Sequence, residues 1–250
     1  MPYRYFIRFS YDGTNYHGWQ IQPNGMTVQE MMTTIMRRIF GPELELTGAG
    51  RTDSGVHAEM MYAHFDVAKR IDDTIAMAGK LSYMMPADIS VQEIRQVRPE
   101  AHARFDAVSR RYEYRISQVK NPFQRNFATH ISSKLNVEAM NKASEILFEY
   151  SDFTSFSKLH TDVKTNNCKI TRACWERRGE LLVFTIEADR FLRNMVRAIV
   201  GTMLEVGRGK IGLDDFRNII ELKNRCEAGT SVEARGLFLV NVHYPEDLFI

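Results

Sequence analysis

The spacing of apolar residues in the first half of the chain predicts alternating strands and helices. Residues 4–11 alternate between apolar and polar side chains, which is typical of a strand with one buried face. From Thr27, which is placed to form a capping box with Glu30, apolar residues recur at helical spacing until Gly41. The same reasoning predicts strands near 44–46, 61–67 and 89–97, and a helix that Asp72 and Asp73 open.

The second half repeats this order of elements. Residues 109–117 alternate, with Tyr112, Tyr114 and Ile116 on one face of the predicted strand. Asn136 is placed to cap a helix whose apolar residues recur at helical spacing. Further patterns predict strands near 170–175, 181–187 and 237–242, and helices at 191–204 and 213–222.

Each half therefore matches the split β-α-β layout of a ferredoxin-like unit. We predict an α+β fold in which two β-α-β-β-α-β units fuse their mainly antiparallel sheets, with helices on one side and a central cleft. The predicted halves are residues 1–104 and 105–250, with the boundary within 99–106. The repeat is one of topology, because no residue-by-residue self-similarity accompanies it.

Composition narrows the class of protein without identifying a partner. The 250 residues are 44% hydrophobic, which is enough for a sizeable core, and 33 basic against 31 acidic residues leave a net charge of +2. The three cysteines lack C-x-x-C spacing, which argues against a disulfide framework or a zinc site. No apolar run approaches about 20 residues, and Met1-Pro2 leads directly into a strand pattern. We expect a cytoplasmic protein without a membrane span.

Residues 48–58, with the sequence GAGRTDSGVHA, form the first candidate for a functional loop. Its three glycines permit positive φ and let a ligand or another backbone come close. The hydroxyls of Thr52 and Ser54 are suited to orient Asp53, and Arg51 is suited to keep it ionised. Such a carboxylate fits covalent or electrostatic catalysis at a sugar carbon. The alternative is an ordinary surface turn in which Asp53 forms an Asx-turn.

Two other stretches combine arginines with a regular element. The predicted helix at 191–204 places an apolar stripe on one side, and the opposite side carries Arg190, Arg193, Asn194, Arg197 and Gly201. This arginine face suits a phosphate backbone or a buried carboxylate, or else simply faces solvent. Residues 109–115 interleave arginines with tyrosines, which is typical of RNA binding but also of a strand with an aromatic core face.

The loop at 12–20 adds large, partly polar side chains. Tyr16, His17 and Trp19 either cover the core or stack on bases.

These blocks occur in one order, and together they resemble the TruA family of tRNA pseudouridine synthases over residues 3–244. The blocks that carry the resemblance are YDGT at 11–14, GWQ at 18–20, TVQ at 27–29, GRTDSGVHA at 50–58, RRY at 110–112 and FLRNMVR at 191–197. The GRTDSGVHA block is the most specific of them.

The resemblance implies roles for individual residues. Asp53 is expected to be the catalytic nucleophile, and Arg197 to pair with it and hold it ionised. Arg51 is expected to assist extrusion of the uridine, and Tyr112 to stack on the uracil. The remaining basic side chains expected to bind substrate are Arg110, Arg111, Arg190 and Arg193.

The family's substrate is the anticodon stem-loop of tRNA, with uridines at positions 38, 39 and 40, and its members are homodimers without a cofactor or metal. The resemblance therefore implies that the central cleft is an RNA-binding cleft. The reaction breaks the bond from ribose to N1, turns the uracil and rejoins it through C5. It involves no redox change and no loss of atoms, so it needs no cofactor. Whether the carboxylate attacks C1′, removes the C2′ proton or attacks C6 stays open.

Two segments depart from the family's usual pattern. Residues 232–235 read VEAR where prolines are common, and Tyr150-Ser151 stands where a Gly-x-His is common. Both lie outside the catalytic blocks, so they bear on loop shape and RNA fit.

Two other classes of function compete with this interpretation. A non-enzymatic RNA-binding protein built from two ferredoxin-like units would bind without turnover, but no aromatic RNP-type motif supports it. A glycosidase or nucleosidase needs a second acid, and none lies at a suggestive spacing from Asp53.

Overall fold

The computed structural model describes residues 2–158 and 165–250 and confirms the predicted α+β class. The chain divides into two compact units. The first comprises the residues up to Val108 together with Leu239–Ile250, and the second comprises Ser109–Phe238. The described part holds five α-helices and nine β-strands. No helix in that part is long and apolar enough to cross a membrane.

The first unit is an antiparallel sheet with two helices. In it, β3 pairs with both β1 and the short β2, β1 pairs with β4, and β9 lies next to β3. The elements are β1 (Tyr3–Tyr11), α1 (Val28–Phe40), β2 (Thr47–Gly48), β3 (His57–Val67), α2 (Thr74–Met84), β4 (Ile89–Gln96) and β9 (Leu237–His243), of which the first two residues belong to the second unit. This reproduces the predicted β-α-β-β-α-β order.

Local signals explain where α1 begins and ends. The Thr27 side chain accepts the backbone N–H of Glu30, and Gly41 ends the helix with a φ of 102°. Two strand boundaries differ from the prediction. The strand expected at 44–46 forms at Thr47–Gly48 instead, where the backbone pairs with Ala63 and His64, while β3 extends back to His57. The residues at which a strand begins and ends depend on the strand it pairs with, and period-two alternation along the sequence does not specify that partner.

The segment that follows β4 belongs to the first unit. Ala101 and Ala103 are fully buried, and the Ala103 N–H donates to Nδ1 of His64 over 3.1 Å. Burial lowers the pKa of His64 to about 4, so the imidazole is neutral at pH 7 and its Nδ1 accepts this bond. Tyr244 also donates its hydroxyl hydrogen to the carbonyl of Ala103.

The second unit has the antiparallel order β5-β8-β7, with β6 parallel to β5. Its elements are β5 (Ser109–Ser117), β6 (Thr129–His130), α3 (Val137–Ile146), β7 (Ile170–Arg178), β8 (Leu181–Ala188), α4 (Met195–Gly207) and α5 (Leu213–Glu221). The core includes Tyr114, Phe184 and Trp175, whose ring stacks on Phe184 at 4.9 Å.

Helix α4 corrects one prediction. It begins at Met195 and not near 191, because Asn194 lies in the left-handed region with a φ of 66° and interrupts helical hydrogen bonding. Arg190 and Arg193 therefore precede the helix, and Gly201, expected on the arginine face, is buried. The predicted arginine stripe along one helical face is wrong.

Candidate active site

Asp53 lies in the loop before β3, and this loop is bound to residues 11–19. Trp19 N–H donates to the Thr52 carbonyl over 3.4 Å, and Gly55 N–H donates to the Tyr16 carbonyl over 3.3 Å. The Thr52 hydroxyl shares a 2.9 Å hydrogen bond with Tyr11, and the Ser54 hydroxyl donates to the Tyr16 carbonyl. The hydroxyls on either side of Asp53 thus anchor the loop to its neighbour.

The aromatic residues of the 12–20 loop divide between core and surface. Tyr16 and Trp19 are buried at 5% and 2% exposure, whereas His17 is exposed. Trp19 stacks on Phe9 at 5.2 Å, and Tyr16 donates its hydroxyl hydrogen to Asp88. Of the two alternatives, core packing is therefore correct for Tyr16 and Trp19.

Glycines permit the close approach of the two loops. Gly18 has a φ of 82°, and a Cβ there would lie 2.3 Å from the Thr52 carbonyl oxygen. A Cβ on Gly48 would lie 2.4 Å from the Trp19 indole nitrogen. Gly55 supplies the expected positive φ, at 76°, while a Cβ on Gly50 would meet nothing within 4 Å. The glycines at 48 and 55 thus serve different needs, a close approach and a positive φ, whereas the space around Gly50 would accept a Cβ.

Asp12 and His57 join the same two segments. His57 is buried at the start of β3, and its Nδ1 accepts the Gly13 N–H over 3.1 Å and lies 3.0 Å from Asp12 Oδ1. Asp12 Oδ1 also accepts the Thr14 N–H, which forms an Asx-turn. The hydrogen bond from Gly13 to His57 lies four residues after Asp53 and joins the end of its loop to residue 13.

Substitution of Gly18 with alanine tests this bracing. The backbone at this position has a positive φ, which alanine disfavours, and the added methyl group collides with the Thr52 carbonyl. We therefore expect the free energy of unfolding to fall by about 1–3 kcal/mol. The matched control is Gly50→Ala in the loop itself, which should change it by less than about 0.5 kcal/mol. Urea denaturation of both variants measures the difference in the free energy of unfolding. Equal stabilities of the two variants would show that a side chain at residue 18 causes no strain.

Tyr112 lies on β5 in the second unit and is half-buried. Its ring contacts Phe191 edge-to-face at 5.1 Å, whereas Tyr114 and Ile116 on the same strand face are fully buried. Phe191 belongs to the segment before α4, so this contact fixes Tyr112 relative to that segment.

The basic residues around Tyr112 already contact the protein. Arg111 forms an ion pair of 2.7 Å with Glu187, and Arg110 donates to the Asp189 carbonyl over 2.8 Å. Arg193 is exposed and Arg190 is partly exposed. Arg111 thus already has Glu187 as a partner on the sheet, and a contact with phosphate would require its guanidinium group to bind both anions.

Arg197 lies on the first turn of α4 and is oriented by the segment 229–232. Its Nε donates to the Val232 carbonyl over 2.7 Å, and Val232 N–H donates back to the Arg197 carbonyl. A Cβ on Gly201 would lie 1.9 Å from the Thr230 carbonyl oxygen, so this glycine permits the close packing of α4 on that segment.

The atypical segments have different positions. Residues 232–235, which the sequence places outside the catalytic blocks, touch Arg197 directly and also Tyr114, whose hydroxyl donates to the Glu233 carbonyl. Tyr150 instead contacts α5, where its hydroxyl donates to Glu221. No pattern in the sequence marks Val232, because this residue acts through its backbone. Asp12 and His57 lie within the YDGT and GRTDSGVHA blocks, which predict no role for either side chain.

The predicted site residues are thus divided between the two units. Asp53 and Arg51 lie on the loop of the first unit, with Arg51 exposed. Tyr112 and Arg197 lie in the second unit, linked through the segment that contains Phe191. The pairing of Asp53 with Arg197 stays a prediction.

Comparison with known proteins gives a consistent result. A family model described as tRNA pseudouridine synthase matches residues 7–106 and 150–245, which include Asp53 and Arg197 but not Tyr112. The chain is 58% identical over 247 residues to tRNA pseudouridine synthase A of Bacteroides fragilis and 57% identical over 246 residues to that of Parabacteroides distasonis, with 98% of each chain covered in both cases. It is 41% identical to that of Acetivibrio thermocellus, over 94% of this chain and 96% of the relative.

Proposed function

Because this chain belongs to the tRNA pseudouridine synthase family and is an isomerase that acts on tRNA, we propose that it converts the uridines at positions 38, 39 and 40 of the anticodon stem-loop. The observation that carries the proposal is the Asp53 loop, a carboxylate on a rigid and braced support within the matched segment. A rigid support suits catalysis because it holds the reacting atoms at a fixed distance.

In the proposed reaction Asp53 is the nucleophile. The bond between N1 and C1′ breaks, the uracil turns, and C5 bonds to C1′ in its place. The C5 hydrogen is then lost as a proton, and N1 gains one, so atoms and electrons balance without a cofactor. Attack at C1′, removal of the C2′ proton and attack at C6 all end in this loss of the C5 proton, which makes it the general readout.

The target base must leave its stack before reaction, at a cost of a few kcal/mol. We assign part of the compensation to Tyr112, whose half-buried ring is held by Phe191 and offers a face to the uracil. Arg51, which is exposed beside Asp53, occupies the space that the base vacates. Arg197 pairs with Asp53 and keeps it ionised. The proposed enzyme acts as a homodimer in the cytoplasm.

The target positions are tested with tRNA transcripts labelled with tritium at uridine C5. Transcripts that keep a uridine at one of positions 38, 39 or 40, with cytidine at the other two, should each release tritium to solvent. A transcript with cytidine at all three positions is the control and should release none. Release from that control at the full rate would contradict the proposed specificity, although the tRNA isomerase activity would stand.

A further inference from the structure

The segment between β5 and β6 exposes an aromatic ring that the proposed reaction does not use. We call residues 118–127 the basic loop. Phe123 at its centre is 88% exposed and Val119 is 64% exposed. Burial of apolar surface stabilises the folded state, so a phenylalanine ring that stays exposed contributes little to the stability of this chain. Its exposure suggests that something else covers it.

The basic loop is held in one shape by its own hydrogen bonds. The Asn121 side chain accepts the Phe123 N–H over 2.9 Å, and Pro122 restricts the backbone before it. Gln124 accepts the N–H groups of Phe127 and Ala128 over 2.9 Å. The exposed ring is thus presented on an ordered turn, which lowers the entropy that binding would cost.

Charge indicates what kind of molecule covers this ring. The sequence from 114 to 137 contains no aspartate or glutamate, while the basic loop carries Lys120 and Arg125, both exposed. Within the described residues, neither of these two cations forms an ion pair. By contrast, the exposed Phe148 lies between Glu145 and Glu149. An aromatic ring flanked by cations matches a nucleic acid better than an apolar protein surface, since rings stack on bases and cations bind phosphates.

We propose that the basic loop is a second tRNA-binding site, in which Phe123 stacks on an unpaired base and Lys120 and Arg125 contact phosphates. The inference rests on the tRNA activity proposed above and extends it to a contact away from the reacting uridine. Tyr112 lies on β5, the strand that leads into the basic loop, and is five residues before its end at Ser117. That separation is about 16 Å along a strand, so one RNA arm that reaches Tyr112 can extend to the basic loop.

The test compares Phe123→Ala with Phe148→Ala, an exposed aromatic in an acidic setting. Filter binding to bulk tRNA should give a Kd about 5- to 30-fold higher for Phe123→Ala and unchanged for Phe148→Ala, as expected for the loss of one stacked base. Tritium release should show the same rise in KM for Phe123→Ala with kcat within about twofold of the parent. Lys120→Gln and Arg125→Gln should each reduce the slope of log affinity against log salt by about 1.

Each outcome separates this inference from the proposed function. Equal tRNA affinity of Phe123→Ala and the parent protein would overturn the second site. A change in sedimentation of Phe123→Ala at unchanged tRNA affinity would also overturn it, since it would assign the loop to contacts between protein chains. If the parent binds tRNA but releases no tritium, the proposed function fails, while the binding comparison still decides the role of the basic loop.

Discussion

Substitution of Asp53 with asparagine is expected to reduce tritium release from tRNA by about 10³-fold or more. The amide keeps the size and the hydrogen-bonding shape of the side chain but is neither a nucleophile nor a base. The loop should keep its position, because Tyr11, Tyr16 and Trp19 bind the residues on either side of Asp53. Affinity for tRNA should therefore stay within about threefold of the parent value.

The control for this experiment is Asp72→Asn, which neutralises an exposed carboxylate in the same unit, just before α2. It removes the same charge from the protein, so it reports any general electrostatic effect on tRNA binding, and its turnover should be normal. Near-normal tritium release by Asp53→Asn would contradict the assignment of Asp53 as the nucleophile. Loss of both tRNA binding and turnover would instead indicate that Asp53 supports the fold of the loop.

Substitution of Arg197 with lysine is expected to lower kcat by roughly 10²-fold and to change KM by less than about threefold. The Nε of Arg197 donates to the Val232 carbonyl, which fixes the direction of the guanidinium group. A lysine has a single donor atom, so it cannot hold the Val232 carbonyl and present a planar pair of donors to a carboxylate. Without that pair, Asp53 would be less well oriented.

The matched control is Arg208→Lys at the opposite end of α4, where an exposed arginine pairs with Glu205 at 2.6 Å. It makes the same chemical change on the same helix, and both kcat and melting temperature should stay unchanged. For Arg197→Lys, a fall in kcat at unchanged KM and unchanged melting temperature is a readout that a merely structural role would not produce. A normal kcat would contradict the proposed pairing.

Elements with strong local signals were predictable from the sequence. The alternation in β1 and β5 follows from burial of one strand face. Helix α1 lies between its caps Thr27 and Gly41, because the Thr27 side chain accepts an N–H of the first turn and Gly41 adopts a positive φ after the last turn. Helix α4 was less predictable. Its start depends on the left-handed conformation of Asn194, whose side chain donates to the Ser231 hydroxyl, a residue distant in sequence.

The features of the candidate site likewise divide into those that local sequence signals predict and those that depend on tertiary contacts. The sequence by itself determined that a loop between strands lies within residues 48–58 and that its carboxylate is Asp53, since glycine spacing and residue type are local properties. Only the tertiary structure decided how that loop is held, through Gly18 against Thr52 and the hydrogen bond from Gly13 to His57. The physical reason is that close packing and hydrogen bonding between distant segments depend on three-dimensional approach, which no periodicity along the chain encodes.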